Sequence, residues 1–376
     1  MLLHFFKKIA AVDWLLLIPA VLITITGLVT MYSYGDEAIY FQRQLLWLMV
    51  SVVVFFIFSA IDFRFLRRTE VVVSVFLIMC ALLAALFLFG TMVKGAQSWF
   101  SFGLFSFQPS DPAKIAVVII LAKYFTKRHR EIAHLRHIII SGFYTFIVFI
   151  LVFLQPDFGS AIIIFLLWIG MVAVSGISKK HLLAVFFMGI VAFGGLWMFA
   201  FEDYQKDRIK TFLYPLADIQ GSGYNAYQST IAVGSGQVWG KGVGFGTQSK
   251  LQFLPEYQTD FIFAAYAEEW GFLGVIVLFC LYGLLISRLV YSAWHSASNF
   301  EALFMAGIAI LITTHFTINV GMNIGLLPVT GITVPFMSYG GSHLLTEYVA
   351  LAVVSAMQVY RQTVPRETAG ADVLEV

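Results

Sequence analysis

Residues 71–91 read VVVSVFLIMCALLAALFLFGT, a stretch without one charged side chain. At 1.5 Å rise per residue a helix over it is about 30 Å long, the thickness of a bilayer's hydrocarbon core. Lipid offers the backbone no hydrogen bonds, so such a run crosses as a helix. Similar segments recur on both sides of it: Asp13–Ser33, Phe41–Ile61, Pro112–Phe125, Ile138–Leu154, Phe158–Ser175, Leu182–Phe201, Phe261–Val290, Ala302–Asn323 and Leu344–Tyr360. The one beginning at Pro112 is the shortest. The 376-residue chain is 60% hydrophobic and 12% charged, a composition that excludes a soluble globular class. The expected fold is all-α, a polytopic integral membrane protein with about ten transmembrane helices forming one domain.

Basic residues gather in alternate connections: Lys7 and Lys8; Arg64, Arg67 and Arg68; Lys127, Arg128, Arg130 and Arg136; Lys179 and Lys180; Arg288; Arg361 and Arg366. By the positive-inside rule that side is cytoplasmic, which places both termini, including a tail over 361–376, inside. Opposite connections carry isolated bases such as Arg43 and Lys94. The run after Lys7 and Lys8 is too long for a secretory signal and is followed by no small-x-small cleavage site. A net charge of +2, with the bases where topology puts them, gives no reason to expect a nucleic-acid partner. Cys80 and Cys280 fall inside apolar segments without metal-ligand spacing, and the eight histidines form no zinc pattern.

The long extracytoplasmic loop between helices seven and eight, 202–260, is rich in aromatic and aliphatic residues, so it packs on the helices or lies in the membrane interface. Tyr224, Tyr227 and Ile231 suit one face of a short helix along the outer leaflet. A run containing Gly234, Gly236, Gly240, Gly242, Gly244 and Gly246 surrounds Lys241. Its amides and ammonium suit a phosphate; a tight-turned loop explains the glycines equally well. Lys250 and Glu256 follow, and Asp260 stands where the loop enters the apolar segment. Thr259 or Asp260 would also serve as a plain helix cap there. Glu268 and Glu269 lie inside that segment, where carboxylates mark a polar cavity or a pairing.

Two further acids open helices from the same side. In 108–114, QPSDPAK, Asp111 suits a cap, Pro112 the first helical position, and Asp111 and Lys114 share a face. In 155–159, QPDFG, Asp157 caps the next helix or joins the others around a polar head group.

These stretches, with 221–264 (GSGYNAYQSTIAVGSGQVWGKGVGFGTQSKLQFLPEYQTDFIFA) and 321–345 (GMNIGLLPVTGITVPFMSYGGSHLL), resemble the SEDS family (shape, elongation, division and sporulation), and within it the RodA branch, over nearly the whole chain. The resemblance implies a ten-helix peptidoglycan glycosyltransferase that polymerises lipid II outside the cytoplasmic membrane and releases undecaprenyl diphosphate, in cell elongation. It also implies a class B penicillin-binding protein as partner within the elongation machinery. The family's catalytic aspartate, in its TDF motif, falls on Asp260; the acid and base of its QPSELAK motif fall on Asp111 and Lys114, and the acid of QPDLG on Asp157. Departures are Asp111 for the usual Glu, Pro112 for Leu, Gln258 for a frequent His, and His343 where a small residue usually stands.

The residues suit that chemistry. A base removes the proton of the acceptor hydroxyl while a diphosphate leaves the donor sugar, and a cation offsets the departing charge. Asp260 is the expected base. Lys114, Lys241 and Lys250 are candidates for the cation, as is a divalent magnesium or manganese ion. The competing reading is a lipid II flippase, since charges inside a bundle also mark transport paths. No inverted repeat with paired broken segments supports it.

Overall fold

The computed structural model describes residues 12–32, 38–93, 96–101, 103, 105–128, 135–199, 201–214, 221 and 223–363. Lys7, Lys8, Lys94, Arg130 and Arg366, on which part of the topology argument rests, lie outside these, as do 215–220 of the long loop and 364–376 of the tail.

Ten helices fall on the ten apolar segments: α1 (Trp14–Tyr32), α2 (Ala38–Ser59), α3 (Thr69–Phe89), α4 (Ser110–Arg128), α5 (Leu135–Phe153), α6 (Phe158–Val174), α7 (Lys179–Phe199), α11 (Ile262–Trp294), α12 (Asn299–Asn323) and α13 (Gly341–Thr363). Eight of them are long and apolar enough to cross a membrane. The other two are α6, apolar but 17 residues long, and α4, which carries Asp111, Lys114, Lys123 and Lys127. Polarity in α4 is tolerated because the helix packs among α3, α5, α6 and α12, with Val117, Val118, Leu121 and Ala122 fully buried. Lipid-facing side chains such as Leu77, Phe143 and Phe187 are exposed on the outer helices, as a membrane protein requires.

Side-chain ties sort the helix ends onto two faces. On one, Arg288 at the end of α11 donates to Asp13 before α1 at 2.7 Å, and Arg67 before α3 pairs with Glu301 at the start of α12. Lys123 near the end of α4 donates to the carbonyl of Arg67, and the Tyr124 hydroxyl lies 2.8 Å from His137 Nδ1 on α5. This is the face where the described basic connections gather. On the other face, Gln155 donates to the carbonyl of Leu83 at 2.8 Å, and Gln44 to that of Ser338 at 3.0 Å. A small antiparallel sheet of β1 (Thr91–Val93), β2 (Ala96–Ser101) and β3 (Ser106–Phe107), which the apolar periodicity did not announce, joins α3 to α4 there.

The long loop is built from α8 (Asp203–Leu213), α9 (Tyr224–Ser235) and α10 (Thr247–Lys250). Helix α9 forms where its spacing indicates, and the face it turns inward is the one opposite Tyr227. Ser229 and Ala232 are buried against α11 and α12, while Tyr227 is exposed. Small side chains permit the close approach, and Ser229 donates to the carbonyl of Asn323 at 2.9 Å.

Helix α11 is not one straight span. Gly271 has φ 63 and ψ −166 inside it, outside any helical region. Phe263 and Phe279 lie with ring centroids 6.3 Å apart, and the Tyr266 hydroxyl donates to the carbonyl of Gly274 at 2.9 Å. Residues 16 apart along a straight helix would be about 24 Å apart. The first nine residues therefore fold back beside the longer segment Phe272–Trp294, which is itself long enough to cross the membrane. This hairpin carries Asp260, just before its first residue, down among the helices.

Candidate active site

Asp260 occupies the turn leading into the hairpin, half-buried. The capping expectation is corrected here: the N-cap of α11 is Phe261, one residue later, and it gives no side-chain cap bond. A first-turn amide, that of Ala264, instead donates to Asn323 Oδ1 at 3.2 Å. Asn319 and Asn323 donate to the backbone carbonyl of Asp260 at 2.8 and 3.1 Å. Thr259 turns back to Glu256, whose Oε2 accepts from its hydroxyl at 3.2 Å. The turn is thus fixed through its backbone. Gly331, with φ +72, faces the carboxylate: a Cβ there would stand 3.6 Å from Asp260 Oδ2.

Asp111 lies in the first turn of α4, since the helix begins one residue before it at Ser110; it is therefore not the cap. The expected pair is present, with Lys114 Nζ 3.1 Å from Asp111 Oδ1 and both side chains buried. Two residues that composition did not single out join it. His343 Nδ1 is 3.2 Å from the same oxygen, and His343 Nε2 is 3.0 Å from Glu347 Oε1. With His315 they line a cleft of about 380 Å³, whose apolar side is Ile115, Ile308, Leu311 and Ile312. Asp157 caps α6 as expected, accepting from the Ser160 amide at 3.0 Å, while its Oδ2 accepts from Gln108 Nε2 at 3.1 Å.

The unwound segment between α12 and α13, together with the first turn of α13, touches all three acid-bearing stretches. The Thr330 carbonyl is 2.7 Å from where a Cβ of Gly159 would stand, so α6 starts directly against it. Ser338 Oγ donates to the carbonyl of Thr259 at 2.7 Å, and the Tyr339 amide to that of Gln258 at 2.8 Å. The amide of Gln108 donates to Ser342 Oγ at 3.2 Å. Residues 330–343 thus hold Asp157, Asp260 and Asp111 on one face of the bundle. His315, Asn319 and Asn323, spaced four apart on one largely apolar helix, and His343 and Glu347, also four apart, were the available signals for this polar seam.

The glycine run has a structural task. Gly240 and Gly271 meet backbone to backbone, and the Gly242 amide donates to the carbonyl of Glu269 at 3.0 Å. Lys241 Nζ is 2.7 Å from Glu268 Oε1, which also accepts from the Thr247 hydroxyl at 3.2 Å and the Gln248 amide at 3.1 Å. Glu269 Oε1 accepts from the Gly244 amide at 2.8 Å. Glu268 and Glu269 therefore fasten a strap over the hairpin tip rather than line the cleft. Lys250 is exposed at the end of α10. Among the described residues no group of three His, Cys, Asp or Glu side chains is arranged to hold a metal ion.

The family model of the cell cycle proteins FtsW, RodA and SpoVE matches residues 7–363. The peptidoglycan glycosyltransferase MrdB of Escherichia coli K12 is 34% identical over 361 residues, covering 95% of this chain and 96% of that protein. Stage V sporulation protein E of Bacillus subtilis 168 is 33% identical over 93% of this chain and 97% of its own length. Among solved structures, the rod shape determining protein RodA of Thermus thermophilus superposes with a TM-score of 0.70 at 28% identity, covering 93% of this chain and 97% of that one. A chain from a peptidoglycan synthase complex, solved to describe how polymerization and crosslinking are coordinated, gives 0.79 at 29% identity, covering 93% and 98%.

Proposed function

The chain belongs to the FtsW/RodA/SpoVE family, and on that premise we propose that Asp260 is the general base with which this peptidoglycan glycosyltransferase joins lipid II units into glycan strands for cell elongation. The observation that carries the assignment is how the turn bearing Asp260 is held beside Gly331. Its backbone is held by Asn319 and Asn323, the helix amide is served by Asn323, and Gly331 leaves space before the carboxylate.

In the proposed step the acceptor sugar's hydroxyl oxygen bonds to the anomeric carbon of the donor as its proton passes to Asp260. The bond from that carbon to the diphosphate oxygen breaks, and undecaprenyl diphosphate leaves with the electron pair. A single displacement inverts the anomeric centre, so no carboxylate nucleophile is required. The cation we assign to the departing charge is Lys114. Lys241 is committed to Glu268, and Lys250 lies on the exposed rim, where it would meet the diphosphate only at the entrance. A magnesium or manganese ion, where used, would come with the diphosphate, since the described side chains offer no ligand cluster. Asp157 and Glu256 support the site by fixing the start of α6 and the turn before Asp260.

The family implies the placement: the cytoplasmic membrane, both termini in the cytoplasm, and the face bearing Asp111, Asp157 and Asp260 outside, in a single membrane domain that includes the loop 202–260. We further propose a class B penicillin-binding protein as the partner, in line with the synthase complex that the chain resembles. Purified protein given lipid II in detergent tests the reading against transport. Glycan polymer formed without any gradient supports it; translocation across vesicles with no polymer would favour a flippase.

A further inference from the structure

Asp111 is served twice on one oxygen and not at all on the other. Lys114 Nζ and His343 Nδ1 both reach Oδ1, at 3.1 and 3.2 Å, while Oδ2 is buried with no hydrogen-bond partner among the described residues. The imidazole Nε2 stands 3.0 Å from Glu347 Oε1, within ion-pair distance but outside hydrogen-bond geometry, and Glu347 Oε2 accepts from the Phe336 amide at 2.7 Å. Asp111 and Lys114 side chains are each 4% exposed, and His343 10%. The four groups form an electrically neutral set whether the last proton rests on the ring or on Glu347. With the ring protonated, Nδ1 carries a hydrogen toward Asp111.

A buried carboxylate left without a partner is strongly disfavoured, so a lysine that is the sole partner of such a group is not free to move. Here it is not the sole partner. We propose that His343 is a positioning residue that keeps Asp111 paired while Lys114 turns to an arriving diphosphate, so that binding the anion does not strand the acid. The ring cannot follow Lys114, because it is buried on a short side chain in the first turn of α13, with Glu347 at ion-pair distance on its other side. The inference rests on the reading of Lys114 as the diphosphate's cation.

Two conservative variants separate the ring's two contacts. Asn at 343 places an amide where Nδ1 stands and keeps the donor to Asp111; Gln reaches instead toward the Nε2 position and Glu347. The measurement is binding of farnesyl diphosphate to the purified full chain in detergent, with farnesol as the uncharged control and a melting temperature for each variant. His343→Asn should bind within a few-fold of wild type, His343→Gln about tenfold more weakly, as for directly coupled groups. Asp111→Asn on the His343→Gln background should recover most of the loss, because a neutral amide needs no stand-in. Equal affinity for the two single variants, or no recovery in the double, overturns the proposal. Lys114→Ala is the control on its premise. If Lys114→Ala leaves farnesyl diphosphate binding unchanged, the Lys114 assignment fails and the proposal with it. If Lys114→Ala weakens binding while His343→Gln does not, the proposal alone is overturned.

Discussion

Replacing Lys241 by Met distinguishes a lysine that fastens the strap from one that meets substrate. Glu268 is fully buried, and its Oε1 receives Lys241 at 2.7 Å. Taking away the cation leaves that carboxylate charged in a dry site, and breaking a buried pair in this way costs about 3–5 kcal/mol. The Thr247 hydroxyl and Gln248 amide still donate to Glu268 Oε1, which argues for the lower end, about 3 kcal/mol. Glu268→Gln retains an acceptor for those donors and leaves Lys241, 28% exposed, able to reach water, so its cost should be about 1–2 kcal/mol. The double variant removes both charges and should fall short of the summed cost by about 2 kcal/mol. Unfolding in detergent, followed for all four proteins, gives the cycle. A Lys241→Met protein that melts with wild type while losing polymerisation would refute the reasoning and return Lys241 to the substrate.

Gly271→Ala puts a side chain at φ 63, against the backbone of Val238 and Trp239. The expected outcome is a protein that no longer runs as a single species in size-exclusion chromatography, because the hairpin cannot close. Topology is tested with single cysteines in a cysteine-free background. A cysteine at Lys250 should react with an impermeant thiol reagent in intact cells, one at Ser178 should not, and the reverse pattern would invert the proposed orientation.

The spanning segments were legible because lipid imposes one demand, a long run of apolar residues, which eight of the ten helices on those segments meet in full and α6 nearly meets. The weakest signal, at Pro112, is weak for a physical reason: α4 is shielded by protein and so can carry Lys123 and Lys127. The fold-back at Gly271 was not legible. Its two limbs are both apolar and helical, and only one backbone angle separates them. The Asp111 to Lys114 pair followed from spacing, and Asp157 as a cap from its place before Phe158. Asp260 was found as a candidate, yet its capping alternative could be set aside only when Asn319 and Asn323 were seen to hold the turn from another helix. His343 was legible only as a departure from the family pattern, and Glu347 not at all, because their meaning depends on α13 lying beside α4, a contact between segments more than 200 residues apart. The glycine run was ambiguous in sequence between a phosphate cradle and a tight turn, and what decides it is the close approach of Gly240 to Gly271.

Asp260→Asn tests the central claim most directly. The amide keeps the size of the side chain and the backbone bonds from Asn319 and Asn323, so the melting temperature should stay near wild type. It cannot accept the acceptor's proton, and loss of a general base lowers the rate by about 10²- to 10⁴-fold. The measurement is the rate of polymer formation from lipid II by the purified, folded variant. A fall of that size at unchanged stability is the predicted result; polymerisation near the wild-type rate would contradict the account.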